Sequence, residues 1–219
     1  MRLLGLISPV RLAVAGLAFL VSAGGAAPVT PPVVVVDFEL PSAGDHAWDW
    51  AGGGVADLLQ QELAARGVPV VDRNSLRALE AEQRLSLSGL ARPDGLRVGG
   101  LLGAGLVVGG RVAAAGPGRA RLETWLASVE QAERIATASC EGAWPNDLTS
   151  MLGMLAEQLA GKAGARTDKT PPPVAAGDAI RPEALVMFYE GVNACARRQP
   201  VLGVAFFLNA YGIDPRRTA

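Results

Sequence analysis

Residues 31–40 read PPVVVVDFEL. Four consecutive valines behind two prolines are expected to form a strand buried on both faces, since a strand with one wet face would alternate apolar and polar residues. Such a run belongs in the interior of a sheet, and helices must then cover that sheet. Downstream, a polar loop, PSAGDHAWDWAGGG (41–54), leads into residues 55–66. There Val55, Leu58, Leu59 and Leu63 recur at helical spacing, and Gly67 follows as a C′ residue. Val68-Pro-Val-Val71 reads as a second strand, lying at an edge or starting there because Pro69 has no amide hydrogen.

Asp72-Arg-Asn-Ser75 opens a second helix, whose Leu76, Leu79 and Leu85 share a face with Ala78 and Ala81. A short third helix is expected over 93–102. Three strands follow, over 106–114, 120–129 and 133–140, with Val129-Glu-Gln-Ala132 as the hairpin turn between the last two. In the middle strand Leu122, Thr124, Leu126 and Ser128 fall on one side. A closing helix, running from Trp144-Pro-Asn-Asp147 to about Lys162, carries the stripe Leu148, Met151, Leu152, Leu155 and Leu159, with Asn146 or Asp147 as its cap. The reading is an α/β fold: a mixed sheet of about five strands covered by helices, in the order β-α-β-α-α-β-β-β-α. Residues 163–182 contain Pro171-Pro-Pro173 and form a semi-extended linker. A C-terminal helical hairpin follows over 183–219, broken at Gln199-Pro200 and closed at Asp214-Pro215.

Upstream of the valines, Arg2 and Arg11 precede the apolar run Leu12 to Val21, and the small residues Ser22 to Ala27 precede Pro28. A basic start, a short apolar stretch and a small-residue exit read as a secretory signal peptide over 1–27. No cysteine stands near that exit, which argues against a lipid-modified N-terminus. Removing the two arginines leaves 18 positive against 21 negative charges, a net charge of −3. That balance gives no basic footprint for nucleic acid. Aromatic residues are 5% of the chain, so the core is expected to be aliphatic. An oxidising compartment would permit a Cys140–Cys195 disulfide, with small buried thiols as the plainer alternative.

Few groups could carry chemistry. One histidine and two scattered cysteines fall short of a zinc site, so no metal and no cofactor are expected. Gly103-Ala-Gly105 and Gly109-Gly110 follow a helix and precede a strand, the inverse of a dinucleotide-binding turn, and read as tight turns. Gly52-Gly-Gly54 lacks the lysine and hydroxyl of a phosphate loop. His46, flanked by Asp45 and Asp49, could be joined with Asp37 and Ser42 into a hydrolase, but the spacing fits no triad order. Trp48 and Trp50 either plug the end of the domain or present a contact surface. Arg77, Glu80, Glu82 and Arg84 read as a solvated helix face. Catalytic residues: none are assigned.

The run VVDR (Val70 to Arg73), the run EQRLSLSG (Glu82 to Gly89) and LLGAGLVVGG (Leu101 to Gly110), in that order behind VVVVDFEL, resemble the CsgG family, the curli production assembly/transport component. They are similar also to FlgO proteins and to the TolB N-terminal domain. The resemblance covers roughly residues 33–160 and implies a CsgG-like α/β domain over 31–162 in a non-enzymatic protein of the periplasm or outer membrane. Pore-forming relatives insert long amphipathic hairpins, whereas here the strands between Leu106 and Cys140 are joined by short turns, so no pore-forming segments are expected. Tyr189, Gly191, Gly203, Phe207, Ala210 and Pro215 resemble the spacing of an incomplete tetratricopeptide repeat. One such pair does not bury its own face. It would therefore pack on its own domain or on a second subunit, unless it is part of a longer repeat array.

The function these readings imply is an assembly or interaction scaffold in the cell envelope. Its partners would be envelope proteins, a second copy of the chain among them, with no nucleic acid and with outer-membrane association open. The alternative is an exported hydrolase centred on the 41–54 loop. A third reading is a small-ligand sensor at the carboxyl edge of the sheet, near Phe38 and Val71.

Overall fold

The structure is a computed structural model and describes residues 31–41, 48–73, 75–78, 95–164 and 180–215. Strand β1 (Val33–Val35) pairs in parallel with β2 (Leu106–Ala114). Strands β3 (Arg119–Ser128) and β4 (Glu133–Ala143) then continue the sheet antiparallel, giving the order β1-β2-β3-β4. Helix α1 (Ala51–Ala65) and helix α3 (Leu148–Lys162) cover one face, and the short helix α2 (Gly95–Leu101) lies on the other beside β2. Helices α4 (Pro182–Ala196) and α5 (Pro200–Ile213) form the C-terminal hairpin.

The valine run is buried as expected: Val33, Val34 and Val35 are all within 1% of full burial. Val33 and Val35 point into the main core with Val55, Leu59, Leu122, Leu126, Leu152 and Leu155. Val34 points the other way, into a smaller cluster with Leu76, Ala104 and Val107. Period-2 alternation has therefore been replaced by apolar residues on both faces because both faces are covered.

Among the described residues the sheet has four strands, one fewer than the sequence suggested. The expected strand at Val68–Val71 shrinks to a single parallel bridge, Val33 with Val70. The Val33 amide donates to the Pro69 carbonyl (2.8 Å), and the Val71 amide donates to the Val33 carbonyl (2.8 Å). The next rung on one side would need an amide hydrogen from residue 69, which proline lacks. On the other side it would fall on the Val35 carbonyl, which the Arg73 side chain takes instead at 2.9 Å. Two rungs of backbone pairing remain, and β1 is flanked on both sides without a fifth strand.

Other boundaries move for identifiable reasons. Helix α1 begins at Ala51, so Gly52-Gly-Gly54 lie inside its first turn and are not part of the loop. A Cβ on Gly54 would lie 2.8 Å from Trp50 Cε3 and 2.9 Å from Tyr189 Cγ. The glycine is tolerated in the helix because larger groups have no room there. Gly67, at φ 78°, ends α1 as the sequence indicated. Gly103, at φ 67°, ends α2 in a turn, whereas Gly109 and Gly110 lie in mid-strand, inside the strand expected over 106–114 and so outside any turn. Their missing side chains leave room for the Trp125 ring on one face and the Phe38 ring on the other. Asp147 occupies the N-cap position of α3, yet its carboxylate accepts from the Ala143 amide behind it (2.8 Å) and not from the helix. Strand β4 runs to Ala143, three residues beyond its expected end.

Candidate functional site: an aromatic junction and the surfaces beside it

The tail hairpin is joined to the α/β layer by a run of rings. Trp48 stacks on Trp144 with centroids 4.8 Å apart, Trp144 on Trp50 at 5.3 Å, and Trp50 on Tyr189 of α4 at 6.2 Å. Phe188 meets Tyr189 edge-on at 5.3 Å and tilts against Phe207 of α5 at 5.6 Å. Trp50 is 2% exposed and Tyr189 is buried beside it. Of the two roles open to Trp48 and Trp50, the plug is what forms. The plug is also the seat of the C-terminal hairpin, and Trp144, which the sequence reading had not singled out, is its middle ring. Around the rings, Asn193 donates to the Asp49 carbonyl (2.9 Å), and the Arg197 guanidinium pairs with the Asp49 carboxylate (2.9 Å). Glu190, near the same two groups, has its pKa raised by burial and by the Asp49 charge, with Arg197 opposing.

At the carboxyl end of β1 lies a second cluster. Arg73 is 6% exposed. One guanidinium nitrogen donates to the Val35 carbonyl, another to Asp37, and its Nε lies against Asp57 as an ion pair held by proximity rather than by an aligned hydrogen bond. Arg77 reaches the same Asp57 carboxylate at 3.1 Å. The chain Asp37–Arg73–Asp57–Arg77 balances two charges against two across the start of α1, whose Gly53 faces Asp37. The run VVDR thus has a physical role: its arginine takes the Val35 carbonyl, at the end of the bridge opposite Pro69, and so closes that part of the sheet edge. Arg77 is paired as well as exposed, while Glu80, Glu82 and Arg84 lie outside the described residues.

The outer face of the sheet below α2 is a shallow polar groove of about 690 Å³, lined by Glu39, Arg111, Glu123, Trp125, Arg134 and Ser139 among others. Arg111 donates to Glu123 through Nε (3.1 Å) and Nη2 (2.7 Å). The Arg134 guanidinium lies 5.6 Å from the Trp125 ring centre. Lower on the same face, hydrogen bonds from Arg121 and Arg119 hold the Glu141 carboxyl below its usual pKa. The groove's arginines are thus already engaged by groups of the sheet itself.

His46, Asp45 and Ser42, the centre of the hydrolase reading, lie outside the described residues. Of the acids that were to orient the imidazole, the two that are described are each tied to an arginine: Asp49 to Arg197 and Asp37 to Arg73. At the carboxyl edge, where a small ligand was considered, the Phe38 ring fills the space left by Gly110 and is buried. Among the described residues no group of three or more His, Cys, Asp or Glu is placed to hold a metal, and no helix is long and apolar enough to cross a membrane. Cys140 and Cys195 are free thiols. Burial pushes the Cys140 thiol up to about 11, and its Sγ faces the Met151 carbonyl.

None of the curated proteins compared with the chain matches it. Among solved structures, PelC from Paraburkholderia phytofirmans, solved as a dodecamer, is 17% identical, with a TM-score of 0.39 over 62% of this chain and 89% of its own. The LpoB C-terminal domain from Salmonella enterica is 17% identical, with a TM-score of 0.40 over 52% of this chain and 83% of its own. Lipoprotein GNA1162 from Neisseria meningitidis is 13% identical, with a TM-score of 0.43 over 61% of this chain and 96% of its own. A family model matches directly, and it spans β1, α1, α2, β2 and the VVDR run. Over residues 19–118 this chain is similar to the CsgG family, the curli production assembly/transport component.

Proposed function

We propose that the chain is a non-enzymatic protein of the cell envelope, exported to the periplasm, and that it works as an assembly or interaction scaffold. The observation that carries this reading is the aromatic junction, in which a helical hairpin is seated on the α/β layer through Trp50 and Tyr189 with its second helix turned outward. Rings buried at a junction fix the orientation of the hairpin, and a fixed hairpin presents a defined surface to a partner. The match to a family described as an assembly/transport component supports the same reading.

In this proposal residues 1–27 are the export signal and 31–162 the α/β domain. Residues 163–182 are a linker, and 183–219 are a tetratricopeptide-like pair. The crossing of α4 and α5 supports the last assignment. A Cβ on Gly191 would lie 2.6 Å from the Phe207 ring and 3.1 Å from the Gly203 carbonyl, so the two helices approach at small residues with an aromatic ring beside them.

The test is fractionation of the cell that makes the protein, combined with photo-crosslinkers placed along α5. Release by osmotic shock and adducts to other envelope proteins are expected. A chain retained in the cytoplasm, or one giving no adduct from any tail position, refutes the proposal.

A further inference from the structure

Helix α5 has an exposed stripe that the hairpin does not use. Val201, Val204, Leu208 and Tyr211 are 84%, 55%, 67% and 56% exposed, and Ala205 and Gly212, each directly after one of them, are also exposed. The hairpin contact runs through Gly203, Phe207 and Ala210 on the opposite side. The large exposed residues recur at i, i+3, i+7 and i+10, the a/d spacing of a helix-pairing seam, and the small residues follow each d position, where a second backbone can approach. No residue from Pro200 to Ile213 is charged.

We propose that this stripe pairs with the same stripe of a second copy of the chain, antiparallel and about a two-fold axis at residue 206. The inference rests on the scaffold reading and names one of its partners. In that register Val201 faces the partner's Tyr211 and Val204 faces the partner's Leu208. Each β-branched residue then meets a larger one, and the surface is complementary to itself, as an isologous contact requires. Antiparallel helices also set their macrodipoles favourably. Without charges, nothing on the stripe repels its own copy.

The same lack of charge disfavours a membrane surface, because an interfacial helix opposes its apolar side with a Lys/Arg-rich one, and the opposite side of α5 is the hairpin contact. A large apolar side chain exposes on the order of 100 Å², so the stripe offers roughly 400 Å² per protomer and 800 Å² in all. That is the low end of specific association, so the pairing is weak and concentration-dependent.

The experiment is sedimentation equilibrium of the chain without residues 1–27, from ~1 to ~300 μM, with circular dichroism and thermal melting as the fold control. Dimerisation with a Kd of tens of micromolar is expected. Val204→Glu and Leu208→Lys, both at exposed positions, should each weaken it at least ~10-fold without moving the melting temperature. A mixture of the V204E and L208K chains should dimerise again, because the register sets the two changed positions opposite each other. A monomer throughout the range, a dimer indifferent to V204E, or a mixture that stays monomeric overturns the proposal. So does a monomer that sediments with phosphatidylethanolamine/phosphatidylglycerol vesicles. A monomer that still crosslinks to envelope proteins in the cell overturns only this inference. A dimer without envelope adducts or periplasmic release overturns the scaffold reading instead.

Discussion

Two neighbouring glycines in the first turn of α1 should respond to the same substitution with opposite sign. Alanine is favoured over glycine inside a helix by about 1 kcal/mol, which by itself predicts stabilisation at both Gly53 and Gly54. At Gly53 the nearest atoms to a new Cβ are the Asp37 carboxylate oxygens, 3.9 Å away, so the methyl group fits in ordinary van der Waals contact. Gly53→Ala should therefore stabilise by about 0.5–1 kcal/mol.

At Gly54 the Cβ would lie 2.8 and 2.9 Å from carbons of the Trp50 and Tyr189 rings. Carbon–carbon contacts settle at about 3.5–4.0 Å, so the helix, the indole and α4 must separate by ~0.7 Å. Neither atom is the free end of a flexible chain, and both residues are buried. Overpacking of that kind costs about 1–3 kcal/mol, which outweighs the helix gain. Gly54→Ala should thus lose ~0.5–2 kcal/mol, and the two variants should differ by ~1–3 kcal/mol.

Equilibrium urea unfolding followed by indole fluorescence measures the difference, since Trp48, Trp50 and Trp144 report on the junction itself. At a slope of about 2 kcal/mol/M the midpoints should separate by about 0.5–1.5 M. In a Tyr189→Ala background, itself less stable because a buried ring is lost, Gly54→Ala should cost less than it does in the unaltered chain, because one of the two clashing rings is gone. If Gly54→Ala proves as stable as Gly53→Ala, the hairpin is not seated as described and the steric argument fails.

Three further outcomes follow from the clusters described above. Arg73→Met should destabilise by about 2–4 kcal/mol in thermal melts, since it strands the Val35 carbonyl and leaves the half-buried Asp57 to the more exposed Arg77. Asp37, at 55% side-chain exposure, adds little to that loss, and a cost below ~1 kcal/mol would show the network to be ornamental. Glu190 has a raised folded pKa, so its neutral form is the one the fold favours. That contribution to stability is complete below the ordinary glutamate value of 4.5 and is lost as pH rises through the raised value. Glu190→Gln should accordingly stabilise at pH 7 and flatten the stability profile just above pH 4.5, and an unchanged profile would contradict the assignment. A thiol reagent at pH 8 should label the exposed Cys195 in the native protein while Cys140, with its pKa near 11, reacts only on unfolding. Equal labelling rates would refute the burial argument.

Much of this was legible in the residues because it is local. The valine run announced a strand covered on both faces. Gly67 announced the end of α1, Pro200 the break between the tail helices, and the stripe from Leu148 to Leu159 the face that α3 buries. The CsgG resemblance read from the runs VVDR and LLGAGLVVGG is borne out over residues 19–118.

Other features depend on contacts between residues distant in the chain. Pro69 by itself indicated only an edge. That the strand ends after one bridge depends on Arg73 reaching the Val35 carbonyl. Gly52-Gly-Gly54 looked like loop because glycine disfavours helix, and only the Phe38 carbonyl against Gly52 and the Trp50 and Tyr189 rings against Gly54 explain why glycine stands in the helix there. Gly109 and Gly110 fall inside the strand expected over 106–114, but why glycine stands there was decided only by Trp125 and Phe38 filling their space. The outward stripe of α5 was written at a/d spacing all along. An apolar helix in sequence does not say which of its sides a neighbour has already taken, and only the close crossing at Gly191 and Gly203 decides which side is left over. Periodicity fixes an element and its faces, while burial is a property of pairs of elements and is settled only when the chain has folded.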